Sequence, residues 1–132
     1  LMKKLLGIVV LGLLLSGNVY ADVVLYCKQE IRHTFNKEKK RTISMNEDWK
    51  FIITNNEIKI PGFESLYGKL IRNKDKEGET RYFAEYDSSV FYHSISISRI
   101  NGNGEIKSNW GESIGREENP IKCSNKKPKL IF

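Results

Sequence analysis

The chain has 132 residues, with 22 Lys and Arg against 16 Asp and Glu and a formal net charge of +6. A chain of this length holds one hydrophobic core rather than two. A basic excess this mild, with no recognisable nucleic-acid-binding motif, speaks against nucleic acid as a partner.

In chain order, Met2-Lys3-Lys4 is a short positive start, and residues 5–15 are an unbroken run of Leu, Ile, Val and Gly. Ser16-Gly17-Asn18 breaks the run, and Val19-Tyr20-Ala21 places small or modest residues ahead of Asp22. This order predicts a secretory signal peptide over residues 1–21 and a single β domain over residues 22–132. Eleven apolar residues in a helix reach only about 16 Å, well short of the roughly 30 Å of hydrocarbon that an uncleaved anchor must cross. A lipid anchor would need a Cys directly after the cleavage point, where Asp22 stands. The expected location is therefore the periplasm or the exterior. Taking 21 residues from 132 leaves 111, and the loss of Lys3 and Lys4 lowers the net charge from +6 to +4.

Cys27 and Cys123 are the two cysteines, one near each end of the predicted domain. An even count in an exported chain predicts a disulfide, and two cysteines allow only one intramolecular pairing. Closing the loop from residue 27 to residue 123 is worth up to about 4.7 kcal/mol by chain entropy.

The hydrophobic period is mostly two. Val23, Leu25 and Cys27 alternate with Val24, Tyr26 and Lys28, which predicts a first strand. Residues 29–40 are mixed and charged and specify no element. Residues 41–45 read as a short strand and Asn46-Glu47-Asp48 as a turn. Trp49, Phe51 and Ile53, then Ile58 and Ile60, predict a hairpin around Asn55-Asn56, which can take the positive φ of a tight turn. Pro61-Gly62 ends it. Residues 66–72 and 80–86 form the next pair, joined by the polar loop at residues 73–78. Asp87-Ser88-Ser89 turns the chain again. Phe91, His93, Ile95 and Ile97 then alternate with Tyr92, Ser94, Ser96 and Ser98. A helix would scatter those isoleucines, whereas a strand lines them up. Asn101-Gly102-Asn103-Gly104 is the turn into Ile106, Ser108 and Trp110. Ile121 and Cys123 mark a short closing strand.

Short turns join antiparallel neighbours, so the expected fold is all-β: an antiparallel meander of about seven or eight strands. A bridge between its first and last strands requires the two ends to meet within about 7 Å. That favours a small closed barrel or a compact sandwich.

No catalytic, cofactor or metal motif stands out. Two histidines, His33 and His93, are too few for a zinc site once both cysteines are oxidised. His93, on the face of Phe91 and Ile95, reads as a hydrogen-bonded core residue. The pairs Glu77/Glu79 and Glu117/Glu118 read as solvated surface. Gly102 and Gly104 lack the following helix of a phosphate loop. The chain is read as a non-enzyme with no cofactor, and as a monomer. Tyr82, Tyr86 and Tyr92, with Trp49 and Trp110, could build a patch for a sugar or a protein partner, and core packing is the better account of most of them. Two surfaces are candidates for binding. One is the polar strand face of Tyr92, Ser94 and Ser96. The other is the basic run of Lys37, Lys39, Lys40 and Arg41, which could meet an anionic surface, with Lys126, Lys127 and Lys129 as a second basic run.

The layout of a signal peptide, Cys27, a strand over residues 95–97, Arg99 to Gly102, and Cys123 resembles small uncharacterised exported proteins of Gram-negative bacteria, and that resemblance implies no activity. The Tyr26-Cys27 and Ile121-Lys122-Cys123 ends are also similar to those of the small periplasmic inhibitors of c-type lysozyme, which implies a β-barrel with a terminal staple. Residues 22–132 do not carry that family's internal Ser-Gly-x-x-Tyr signature or its Trp-x-x-Gly segment. The expectation is an exported, non-enzymatic binding or inhibitor module that meets an envelope protein or glycan. The alternatives are a small periplasmic hydrolase or a structural envelope component.

Overall fold

A computed structural model describes residues 22–37, 39–111 and 114–126. The predicted signal peptide lies outside the described residues, as do Lys127, Lys129 and the apolar residues 130–132. Eight strands run in order: β1 (Val23–Asn36), β2 (Lys39–Ile53), β3 (Glu57–Lys59), β4 (Leu70–Arg72), β5 (Arg81–Asp87), β6 (Tyr92–Ser98), β7 (Asn103–Asn109) and β8 (Arg116–Ser124). Two single helical turns interrupt them, α1 (Glu64–Tyr67) and α2 (Lys74–Glu77). Each strand pairs antiparallel with the next, and β1 pairs with β8, so the meander closes as a barrel. Cys27 sits directly opposite Cys123 in that closing ladder, and the two form a disulfide with Cα atoms 3.9 Å apart.

The barrel interior follows the alternation of the sequence. Leu25, Phe51, Ile53, Ile58, Ile60, Leu70, Ala84, Ile95, Ile97, Ile106 and Ile121 are buried together. Trp49, Tyr82, Tyr86 and Trp110 pack against them, as the core-packing reading expects.

The first two strands are far longer than expected. β1 has 14 residues and β2 has 15, against three each in β3 and β4. Residues 29–36 continue β1, and Asn46-Glu47-Asp48 is strand rather than turn, with Asp48 opposite Lys28 and Glu47 opposite Gln29. Polar residues hold a strand here because β1 supplies a ladder partner along the whole length. At about 3.3 Å per residue β1 spans about 46 Å, so this hairpin overtops the β3–β4 side. Both ladders of β1 shift register, between Gln29 and Ile31 towards β2 and between Lys28 and His33 towards β8. The shift exchanges the faces of β1. Cys27 and Gln29 point inward below it, and Arg32 and Thr34 share the face of Asn119 and Glu117 above it.

Three other turns differ in detail. Asn55 and Asn56 keep negative φ. Thr54 makes the turn instead, its hydroxyl accepting from the N–H groups of Asn56 and Glu57. Leu66 lies in α1, and the predicted strand over residues 66–72 begins only at Leu70. The β6–β7 turn runs from Arg99 to Gly102, two residues ahead of the predicted Asn-Gly repeat, and Asn103 and Gly104 already belong to β7. Gly102 has φ +79°, and a Cβ there would overlap the carbonyl of Cys123, so this turn is folded against the staple.

The polar loop at residues 73–78 contains α2, capped by Asn73, whose side chain accepts from the Lys76 N–H. It buries Glu77, which is only 3% exposed. The solvated reading of Glu77 is thus wrong, because Arg72 lies beside it as a counter-ion.

Candidate binding surfaces and the polar interior

Tyr92, Ser94 and Ser96 do lie on the face of β6 opposite His93 and Ile95, but their polar atoms are already engaged. The Tyr92 hydroxyl donates to Glu85 Oε1 at 2.8 Å. Glu85 also accepts from Asn73 Nδ2 at 3.0 Å and from Lys76 Nζ at 3.2 Å. The Asn73 hydrogen bond leads in holding the Glu85 carboxyl below the usual carboxylate range, while burial and the adjacent Glu85 raise the Tyr92 hydroxyl. Ser94 is 5% exposed, and Ser96 accepts from Arg81 Nη2. The hydroxyls of Tyr92 and Ser96 are thus each bound to a side chain of β5.

Lys39, Lys40 and Arg41 are exposed at the start of β2, next to the hairpin tip where Lys37 has φ +59°. The basic run is gathered rather than scattered. Phe35, at the end of β1, lies under two cations, with Lys40 Nζ 5.7 Å and Arg116 Cζ 4.3 Å from its ring centroid. One groove of about 690 Å³ is lined by Thr34, Phe35, Lys37, Lys39, Arg41 and Ile114. A second, of about 430 Å³, lies between Phe35, Lys37 and Arg116. Among the described residues none of Lys37, Lys39, Lys40 and Arg41 enters an ion pair. Arg116 does, with Glu118 at 3.7 Å. The role of Phe35 and Arg116 is not visible in sequence, because it depends on β8 running back to Arg116 beside Phe35.

The interior above the core is polar. His93 of β6 faces Ser108 of β7, and Ser108 faces Glu117 of β8. Glu117 is 3.7 Å from Arg32 Nε and accepts from Asn119 Nδ2 at 3.3 Å. Glu117, read from sequence as solvated surface, is therefore turned inward by the parity of β8. Aromatic rings wall this group. Trp110 lies 4.5 Å from the His93 ring, Tyr67 lies 5.1 Å from it, and Tyr86 stacks at 6.3 Å. Gln29 is buried with it and takes the Trp49 indole N–H at 3.0 Å. Burial lowers the His93 pKa against the opposing pull of Glu117. Burial, then the charge of Glu117, raises that of Tyr67.

Four buried polar atoms in this region have no hydrogen-bond partner among the described residues: Arg32 Nε, His93 Nδ1, Ser108 Oγ and Asn119 Oδ1. His93 is thus a core residue, as read, but without the expected hydrogen bond at Nδ1. The succession of His93, Ser108 and Glu117 superficially resembles a hydrolytic triad. A nucleophile must, however, hydrogen-bond its base, and neither Ser108 Oγ nor His93 Nδ1 has a partner. Ser108 is also central in the row, where the histidine of a triad belongs. Among the described residues no three His, Cys, Asp or Glu side chains gather as a metal site, and no helix is long and apolar enough to cross a membrane.

Comparison with protein-family models, curated proteins and solved structures finds no match to this chain.

Proposed function

We propose that this protein is an exported, non-enzymatic binding module of the cell envelope, and that it engages an anionic surface through the cationic end of the β1–β2 hairpin. The observation that carries this reading is the convergence of Lys37, Lys39, Lys40, Arg41 and Arg116 around Phe35 and its two grooves. Separate cations on a surface are ordinary. Cations gathered at the tip of a projecting hairpin, around one partly buried ring, create a local positive field and supply an apolar anchor. The Cys27–Cys123 disulfide supports an oxidising compartment, in keeping with the signal-like order of residues 1–21.

The test uses the oxidised protein with two kinds of vesicle, one of purely zwitterionic phospholipid and one containing anionic phospholipid. Co-sedimentation is read at low and at high salt. Exposed charges are screened beyond a Debye length of about 8 Å at physiological ionic strength. The reading expects binding to the anionic vesicles alone, falling as salt rises, and weakened when Lys37→Glu and Lys39→Glu are combined. Equal binding to both vesicles, or binding to neither at low salt, overturns it.

A further inference from the structure

β2 carries a long free edge. Its ladder with β1 runs from Val23 opposite Ile53 to Asn36 opposite Lys39. On its other side only Ile52 and Ile53 pair with β3. Among the described residues no backbone hydrogen bond reaches the outer side of residues 39–50. The unpaired N–H and C=O groups of such an edge are a template for another strand. Proteins blunt long edges with proline, with short length or with charge. β2 has no proline and is the longest strand of the barrel, so charge is the device left to it.

Those charges are sorted by sign. Lys39, Lys40 and Arg41 stand at one end of the edge, and Glu47 and Asp48 towards the other, followed by Lys50, with Thr42, Ile43, Ser44, Met45 and Asn46 between. Charges in this order repel a parallel copy and match an antiparallel one. We propose that two copies of this chain pair edge to edge through β2, antiparallel, about a two-fold axis that passes at Ser44.

The register follows from symmetry. A two-fold axis perpendicular to the sheet keeps each residue on its own face, so facing residues must be an even number of positions apart. Centred on Ser44, Lys40 faces Asp48 and Arg41 faces Glu47. The two-fold axis repeats both pairs, which makes four opposite-charge contacts of the kind that favour cross-strand pairing. Centring on Met45 instead would set Lys40 against Lys50, and centring on Ile43 retains only Lys39 against Glu47. The register shift of the β1–β2 ladder places its extra residue on β2, between Ser44 and Glu47, to one side of this axis in each copy. The partner is thus a second copy of this chain, in place of the monomer expected from sequence. The proposal does not depend on the anionic-surface reading, because it concerns the protein alone in solution.

Sedimentation velocity of the oxidised protein over a concentration series, without lipid, reads the assembly. A dimer is expected, with its dissociation constant raised about tenfold or more by K40D with R41D. Restoring the opposite sign across the axis with D48K and E47K in the same chain should bring it back. A single Ser44→Cys variant fixes the register. Residues facing across an antiparallel ladder have Cα atoms about 4.5–5.5 Å apart, within reach of a disulfide. S44C should therefore form a covalent dimer under mild oxidation. T42C or N46C alone should not, whereas a mixture of the two should give a heterodimer. A protein that stays monomeric throughout the series overturns the proposal. So does a dimer that is indifferent to the charge changes and fails to cross-link at Ser44.

Discussion

Arg72 and Glu77 form a two-point ion pair beneath the barrel wall, with Arg72 Nε 2.8 Å from Glu77 Oε2 and Nη2 3.0 Å from Oε1. Arg72 Nη1 also donates to the Thr54 carbonyl at 2.7 Å, and Glu77 accepts the Phe83 N–H at 2.9 Å. The pair therefore joins the β2–β3 turn, β4, α2 and β5. This is the side of the barrel where successive ladders hold only two residue pairs each. Side chains here replace the cohesion that short strands cannot supply.

Glu77→Ala should destabilise the fold by about 3 kcal/mol, because it leaves the Arg72 guanidinium buried without its partner. Chemical denaturation of the oxidised protein measures it. Burial alone would raise the Glu77 pKa. The Arg72 hydrogen bonds, the Phe83 N–H and the Arg72 charge outweigh burial and lower it. A carboxyl with a lowered folded pKa contributes stability above its unfolded value of about 4.3 and loses it as pH falls through the folded value. The acid limb below about pH 4 should be shallower in Glu77→Ala.

His93 should give a separate limb at higher pH. Its folded pKa is depressed by burial, so below the unfolded value of about 6.5 the unfolded chain takes up a proton that the fold refuses. Stability is complete above that value and declines as pH falls from about 7 towards the folded pKa. Denaturation midpoints taken at intervals between about pH 7.5 and 5 should show this slope, and His93→Gln should lose it. An unchanged slope in the variant would assign it to another group.

Ser108→Ala should be neutral or slightly stabilising. Ser108 Oγ is buried without a partner, and removing an unsatisfied hydroxyl avoids a desolvation cost of about 1–3 kcal/mol. A thermal melt that falls by several degrees would mean that an ordered water or a ligand satisfies this hydroxyl in solution.

Replacing Cys27 and Cys123 together by Ala should cost about 2–5 kcal/mol, the range expected for a native disulfide in a small domain. The loss should appear as a lower urea midpoint. Reduction of the native protein should reproduce it, since the bridge joins residues 96 apart in sequence.

The legible part of this fold was the part whose side chains alternate. Residues 91–97 announced β6, Trp49, Phe51 and Ile53 announced the inner end of β2, and the paired cysteines implied that the ends of the meander meet. The rest was hidden for physical reasons. The strand read at residues 41–45 is part of β2, but residues 29–36, 39–40 and 46–48 extend β1 and β2 because they pair along the β1–β2 ladder, and their polar side chains carry no period of two against water. The inward turn of Arg32 comes from a register shift, which leaves no residue signature. Glu77 looked like surface because its counter-ion, Arg72, becomes its neighbour only when α2 folds back over β4. Of the candidate surfaces, the basic run was readable as a run of cations. Its assembly around Phe35 required Arg116, which lies 81 positions further along the chain. Tyr92, Ser94 and Ser96 were placed on the correct face, but the partners that engage Tyr92 and Ser96, Glu85 and Arg81, come from β5.

The position of the staple also governs what happens when the backbone is cut. With residues 27 and 123 joined, every peptide bond between them belongs to one covalent ring. A protease that enters the β5–β6 turn, where Val90 is well exposed, opens that ring without releasing a fragment. Both halves stay tethered through β1 and β8, the nicked molecule migrates as a single species until it is reduced, and each half remains held close enough to the other to re-form the sheet.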